Sequence, residues 1–290
     1  MDDSLFDYTV TAKDSRYNAI RDNQTPDEER TRAFMEGLWH KYKPYADKNF
    51  KQQIQADFDS RFWEMYLTCT LLDNSIPILK VNPGPDILVQ HATGRIWIEA
   101  IAPTSGSEET LDHIPTMRPS VDAIVVPEDQ IVLRYRGAIE DKYKRYQEYR
   151  EDGIIAAADT YVIAVSSCKI KLAIMETETP RIVKAVLPIE RVWVESILGW
   201  YEDSCRRGEI KRASGAPVRT DVFLNPEYKN ISAVLYSHTD ASNRPLTMGN
   251  DFILIHNPLA TNRLPEGFLK VGREYVYNRE RASFKLIDWR

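Results

Sequence analysis

Apolar and polar positions divide the chain into a helical N-terminal part and a mixed remainder. Residues 1–25 are polar and without periodicity, which predicts a loosely ordered arm. Thr25-Pro26-Asp27-Glu28-Glu29 then reads as a helix start: a capping Thr, Pro at the first helical position and acids in the first turn. Helical patterning runs to about residue 45, pauses near Pro44, and resumes over 47–73. The second helix holds Phe58, Phe62, Trp63, Met65, Tyr66, Leu67, Cys69, Leu71 and Leu72, apolar on nearly every side, as in a fully buried segment. Three strands are predicted over 76–81, 86–90 and 95–102, the last two flanking His91-Ala92-Thr93-Gly94, a turn of hairpin length. A stretch rich in Ser, Thr, Pro and acids fills 103–129, a length often tied to function. Beyond it the pattern predicts a strand over 131–135, a helix over 137–152, a strand over 160–166, a helix near 188–206, and buried strands near 231–237 and 251–256. His256-Asn257-Pro258 closes the last of these and has two readings, the border of a cleft or Asn257 capping the strand end, of which the second is preferred.

Helix, three strands, helix, strand describes a mixed α/β core. We divide the chain into the arm (1–25), an N-terminal helical extension (26–55), the core (56–210) and a C-terminal α/β elaboration packed on it (211–290). The 290 residues suffice for a sizeable core, and 43% apolar with 28% charged residues is ordinary for a folded protein. With 38 basic and 43 acidic side chains the formal charge is −5, so any nucleic-acid contact needs a local basic patch. Three scattered cysteines, Cys69, Cys168 and Cys205, argue against a disulfide framework and for a reducing compartment. Met1-Asp2-Asp3 lacks the basic start of a secretion signal, and the most apolar stretch, 154–174, is broken by Asp159, Lys169 and Lys171. The expectation is a cytoplasmic protein with no membrane partner. There is no phosphate-binding glycine loop, no nucleophile elbow, and no His or Cys spacing for zinc.

Three carboxylates stand apart. Symmetric pairing about the turn sets Gln90 opposite Arg95, and the same register sets Asp86 opposite Glu99, with Cβ atoms about 5 Å apart. Ile87, Val89, Ile96 and Ile98 share the other, apolar face. Facing carboxylates repel, which is relieved by a shared proton or a bound cation, and hard divalent ions favour such oxygens. Glu64 lies within the apolar Phe62-Trp63-Glu64-Met65-Tyr66-Leu67 and needs a partner, either a cation near the hairpin or an Arg.

A helix glutamate, then Gly84-Pro85-Asp86 opening one strand and Ile98-Glu99-Ala100 closing the next, resembles the PD-(D/E)xK nuclease superfamily. The likeness covers roughly residues 56–167. It implies a restriction-endonuclease-like mixed sheet flanked by helices, and metal-dependent hydrolysis of nucleic-acid phosphodiesters, DNA or RNA. It further implies Mg²⁺ (or Mn²⁺) held by Asp86 and Glu99, assisted by the Ala100 carbonyl and completed by Glu64. The family's lysine, two residues after the glutamate, is replaced here by Ile101. Some members supply it from the following helix, where Lys142 lies beside the apolar stripe Ile139, Tyr143, Tyr146 and can reach inward over the sheet. Arg134 is a second cation candidate, placed on the strand leading in. Lys144 and Arg145, with Arg150 and the interleaved Tyr143, Tyr146 and Tyr149, suit a phosphate-tracking surface with stacking; a solvated amphipathic helix is the plainer reading. The rival function is a non-catalytic nucleic-acid-binding or protein-interaction protein on a degenerate nuclease fold. A different metal-dependent hydrolase using the same acids is a third reading.

Overall fold

Helix signals in the first quarter of the chain act where the sequence places them. The computed structural model describes residues 4–116, 125–195, 200–280 and 283–290. Helix α1 (Ser15–Asp22) is capped by Asp14, whose side chain accepts from the Arg16 and Tyr17 amides. Helix α2 (Pro26–Tyr42) starts with the reciprocal capping of Thr25 and Glu28. The predicted 47–73 helix is two, α3 (Phe50–Ala56) and α4 (Phe58–Asp73), because Asp57 leaves helical geometry and accepts from the Ser60 amide to start the second. The segment read as a loose arm is instead packed: Leu5, Phe6, Tyr17 and Ile20 are buried, and only residues 1–3 of it lie outside the described residues.

Strands β1 (Ile78–Leu79), β2 (Ile87–His91) and β3 (Gly94–Ile101) form an antiparallel meander. Helix α5 (Glu128–Glu151) carries the chain to β4 (Thr160–Ser166), parallel to β3, as a parallel pairing requires. The predicted strand over 131–135 is the start of α5: its β-prone run Ile131, Val132, Leu133 and Tyr135 is apolar because it is buried against the sheet. Of the 103–129 connection, residues 117–124 lie outside the described residues, and the rest before α5 is irregular.

After the short α6 (Arg181–Val186) come β5 (Ile189–Glu195) and β6 (Trp200–Arg206), an antiparallel pair where a helix is expected. Its connecting residues 196–199 lie outside the described residues. A small separate ribbon joins β7 (Glu209–Lys211) to β8 (Pro217–Arg219). The remaining strands are β9 (Ala233–Ser237), β10 (Ile253–His256), β11 (Arg273–Asn278) and β12 (Ser283–Asp288). Among the described residues, all but the ribbon join one ten-stranded mixed sheet, in the order β1-β2-β3-β4-β9-β10-β11-β12-β6-β5.

The fold is thus α/β, a mixed sheet between two helical layers. Ile87, Val89, Ile96 and Ile98 face α1–α4, together with Phe62, Leu67, Leu235 and Leu254. Leu88 and Trp97 face the other way, packing with Ile139, Tyr143, Ile163 and Val234 under α5 and α6. The central strands β4, β9 and β10 are buried throughout, which matches their uninterrupted apolar runs. Trp63 donates its indole N–H to the Ala164 carbonyl at 3.0 Å, fixing α4 over β4. No helix of the described residues is long and apolar enough to cross a membrane.

Candidate functional site

The hairpin places the first two acids. His91 pairs with Gly94, Val89 with Ile96 and Ile87 with Ile98 across the turn. A two-residue turn makes its flanking residues a hydrogen-bonded pair, and such pairs recur at every second position. Extending that register leaves Asp86 and Glu99 as the next, closely approached pair, on the α5 side of the sheet with Leu88 and Trp97. Gly84 lets the preceding turn lie on Trp97: a Cβ there would sit 3.0 Å from the indole. Asp86 finishes the ladder with its side chain, its Oδ2 accepting from the Ala100 amide at 2.7 Å. In a strand the amide and carbonyl of one residue point to the same side. The Ala100 carbonyl therefore also faces this edge, opposite Pro85, which has no N–H to offer it.

The third acid comes from the other helical layer. Glu64 is buried on α4, accepting from the Tyr42 hydroxyl at one oxygen and from the Arg61 guanidinium at the other. Lys142 arrives from α5, its Nζ 2.7 Å from Glu99 Oε1, with only 21% of its side chain exposed. Glu99 Oε2 is buried with no hydrogen-bond partner among the described residues. Glu64, Asp86, Ala100, Ile101 and Lys142 line one cleft of about 260 Å³ at the end of β3.

Electrostatics sharpen the picture. Burial, with the Asp86 charge adding to it, pushes the carboxyls of Glu64 and Glu99 up to about 7. The Arg61 guanidinium opposes the rise at Glu64, and the Lys142 ammonium opposes it at Glu99. Burial and the adjacent Glu64 carboxylate likewise raise the Tyr42 hydroxyl, so it stays a donor.

Sequence reasoning missed three members of this neighbourhood. Arg61 and Lys169 also line the cleft, and Tyr42 touches Glu64. Arg61 carried a readable signal, being one turn before Glu64 on the same helix face. Lys169, whose Nζ lies 2.7 Å from Asp57 Oδ2, is brought in from beyond β4 and carried none.

Other expected binders fall elsewhere. Arg134 lies on α5 rather than on a strand, and its guanidinium donates to the Asp112 carbonyl at 2.8 Å. Lys144 points to water. Arg145 pairs with Glu148 and stacks 4.9 Å over the Tyr149 ring; it adds its field to Glu99 without lining the cleft. Tyr143, Tyr146 and Tyr149 are buried under α5 and pack on the sheet, so they offer no stacking surface.

Among the described residues, no group of three or more His, Cys, Asp or Glu side chains is arranged to hold a metal ion. Both Glu64 oxygens are engaged, so a cation here would rest on Asp86 and Glu99 with the Ala100 carbonyl. That donor set suits Mg²⁺, which keeps several waters and takes only one or two protein carboxylates. Glu99 itself does not line the cleft, but its buried Oε2, unpartnered among the described residues, is a spare acceptor for such an ion. Comparison with protein-family models, with curated proteins and with solved structures returned no match.

Proposed function

We infer that the chain is a metal-dependent nuclease of restriction-endonuclease-like fold, hydrolysing nucleic-acid phosphodiesters at the cleft lined by Asp86, Glu64 and Lys142, with Glu99 paired to Lys142. One observation carries the reading. A lysine from the helix after β3 reaches the second motif acid at 2.7 Å, where the usual strand position holds Ile101. The helix, three strands, helix, strand order from α4 to β4 supports it.

Mg²⁺ or Mn²⁺, held by Asp86, Glu99 and the Ala100 carbonyl, would supply Lewis-acid polarisation of the phosphodiester and a more acidic water. The residues do the rest. Asp86 stays fixed by the Ala100 amide, so its second oxygen keeps one direction. Lys142 steadies the attacking water or the negative charge that develops on the phosphate. Arg61 holds Glu64 in place from the adjacent turn of α4. Lys169, paired with Asp57 on the cleft wall, adds positive charge that draws in a neighbouring phosphate.

A second reading has an observation of its own. Each of the three acids already has a protein donor, as it would in a purely structural cluster of a nucleic-acid-binding or interaction protein. Cleavage assays on mixed single- and double-stranded DNA and RNA with Mn²⁺ separate the two. We expect chelator-sensitive cleavage that falls roughly 10²–10³-fold in Lys142→Ala. Cleavage equal in wild type and variant would remove Lys142 from the chemistry.

A further inference from the structure

A second, larger cleft of about 990 Å³ opens beyond the end of β10 and shares no lining residue with the carboxylate site. Strand β10 runs antiparallel to β9, and β9 is parallel to β4 and β3, so this cleft faces the other edge of the sheet. Its polar groups divide into those already used and those left over. Asn257 is spent on the fold: its amide donates to the Tyr228 and Ile231 carbonyls and its oxygen accepts from the Leu259 amide. Lys285 and Glu266 neutralise each other at 2.7 Å, leaving Glu280 as the remaining acid on the wall. Arg263 and Arg279 have no ion-pair or hydrogen-bond partner among the described residues, although both line the cleft.

His256 is held from behind. Its Nε2 lies 3.1 Å from Oε2 of Glu274, a carboxylate with no exposed surface. Glu274 also accepts from the Gly267 amide at 2.9 Å and the Trp289 indole at 3.1 Å. A carboxylate can only accept, so Nε2 carries a proton toward it, and in the neutral ring Nδ1 is the acceptor. Pro258, Leu264 and Val276 add an apolar wall.

Two unpaired guanidiniums match the tetrahedral oxygens of a phosphate through paired, charge-assisted hydrogen bonds. An acceptor nitrogen beside an apolar wall suits a hydroxyl- or amine-bearing planar body. The volume is far larger than an inorganic ion needs and lies within the range of organic ligand sites. We propose that this cleft binds a phosphate ester of nucleotide size, its phosphate gripped by Arg263 and Arg279 and a donor group of its sugar or base received by His256. The phosphate belongs either to a free nucleotide or to the end of a nucleic-acid strand. The site stands on its own residues and does not require cleavage at the carboxylate cleft.

Calorimetric titration of the whole chain with adenosine and guanosine monophosphates, with adenosine, and with a 5′-phosphorylated tetranucleotide tests this. Binding of a monophosphate but not of adenosine, weakened at least about tenfold by Arg263→Ala and again by Arg279→Ala, is the expected result. Binding of the tetranucleotide alone, with the same arginine dependence, identifies the strand end as the source. Both arginines are exposed, so the variants keep the wild-type circular dichroism and unfolding midpoint. If no probe binds at millimolar concentration, or binding survives the double variant, the proposal is wrong.

Discussion

Burial and the nearby Asp86 charge raise the carboxyls of Glu64 and Glu99 to about 7, well above their value in an unfolded chain. A carboxyl whose pKa is raised on folding binds its proton more tightly in the folded state. Its stabilising contribution is present in full below about pH 4.5 and is lost as pH rises through about 7. The unfolding free energy should therefore fall across that window. Glu64→Gln should flatten part of the fall and make the protein more stable than wild type at pH 8. Urea denaturation at a series of pH values measures this, and parallel profiles for the two proteins would rule it out. At this scale the sequence was informative. Glu64 stood out as an acid among apolar residues, and Asp86 and Glu99 as facing acids, because burial and repulsion are costs readable from neighbours alone. Arg61 was within the same reach, one turn away; Lys169 was not, since only the tertiary fold brings it to the cleft.

Among the elements, the hairpin register was legible, although the four-residue turn expected over 91–94 tightens to Ala92-Thr93, with His91 and Gly94 paired in the strands. A two-residue turn and strict alternation leave one register, and the observed pairs keep it. Lys142 followed from helical spacing in the same way. The two failures run in opposite directions. Ile131, Val132, Leu133 and Tyr135 look like a strand, but a helix buried against a sheet is apolar on adjacent positions too. Over 188–206 the sequence suggested a helix, and the chain pairs β5 with β6 instead. Ile189, Val192, Trp193 and Val194 favour a strand locally, and that preference prevailed. The same geometry gives a test. Residues 99 and 101 of β3 share a face, and Ile101 lines the cleft with Lys142. A lysine placed at Ile101 occupies the position that Lys142 reaches from α5. Ile101→Lys in the Lys142→Ala background should recover at least about tenfold of the lost cleavage. No recovery, with the double variant folded and binding Mn²⁺, would mean that the cation must approach from the helix.

The whole molecule is tied together across its length. Leu5, Tyr17 and Ile20 from the N-terminal segment share one buried cluster with Phe62 of α4 and Leu254 of β10. Arg16 bonds Asp240 at 2.7 Å across 224 residues of sequence. Long-range contacts of this kind leave no local pattern, which is why the segment reads as a loose arm. The buried side chains of Leu5, Phe6, Tyr17 and Ile20 each contribute roughly 1.5–3 kcal/mol. Deleting residues 1–25 should thus lower the denaturation midpoint by an amount worth several kcal/mol. An unchanged midpoint would show that the segment adds little to the fold.

Everything proposed for the carboxylate cleft turns on whether Asp86 and Glu99 hold a divalent cation. Calorimetric titration of Mn²⁺ and Mg²⁺ into the wild type and into Asp86→Asn, at pH 6 and pH 8, measures it directly. Binding should appear in the wild type, be tighter at pH 8 because a proton at Glu99 competes with the metal below about 7, and vanish in Asp86→Asn. Equal binding by both proteins, or none by either at pH 8, would contradict the metal site and leave the acids a structural role.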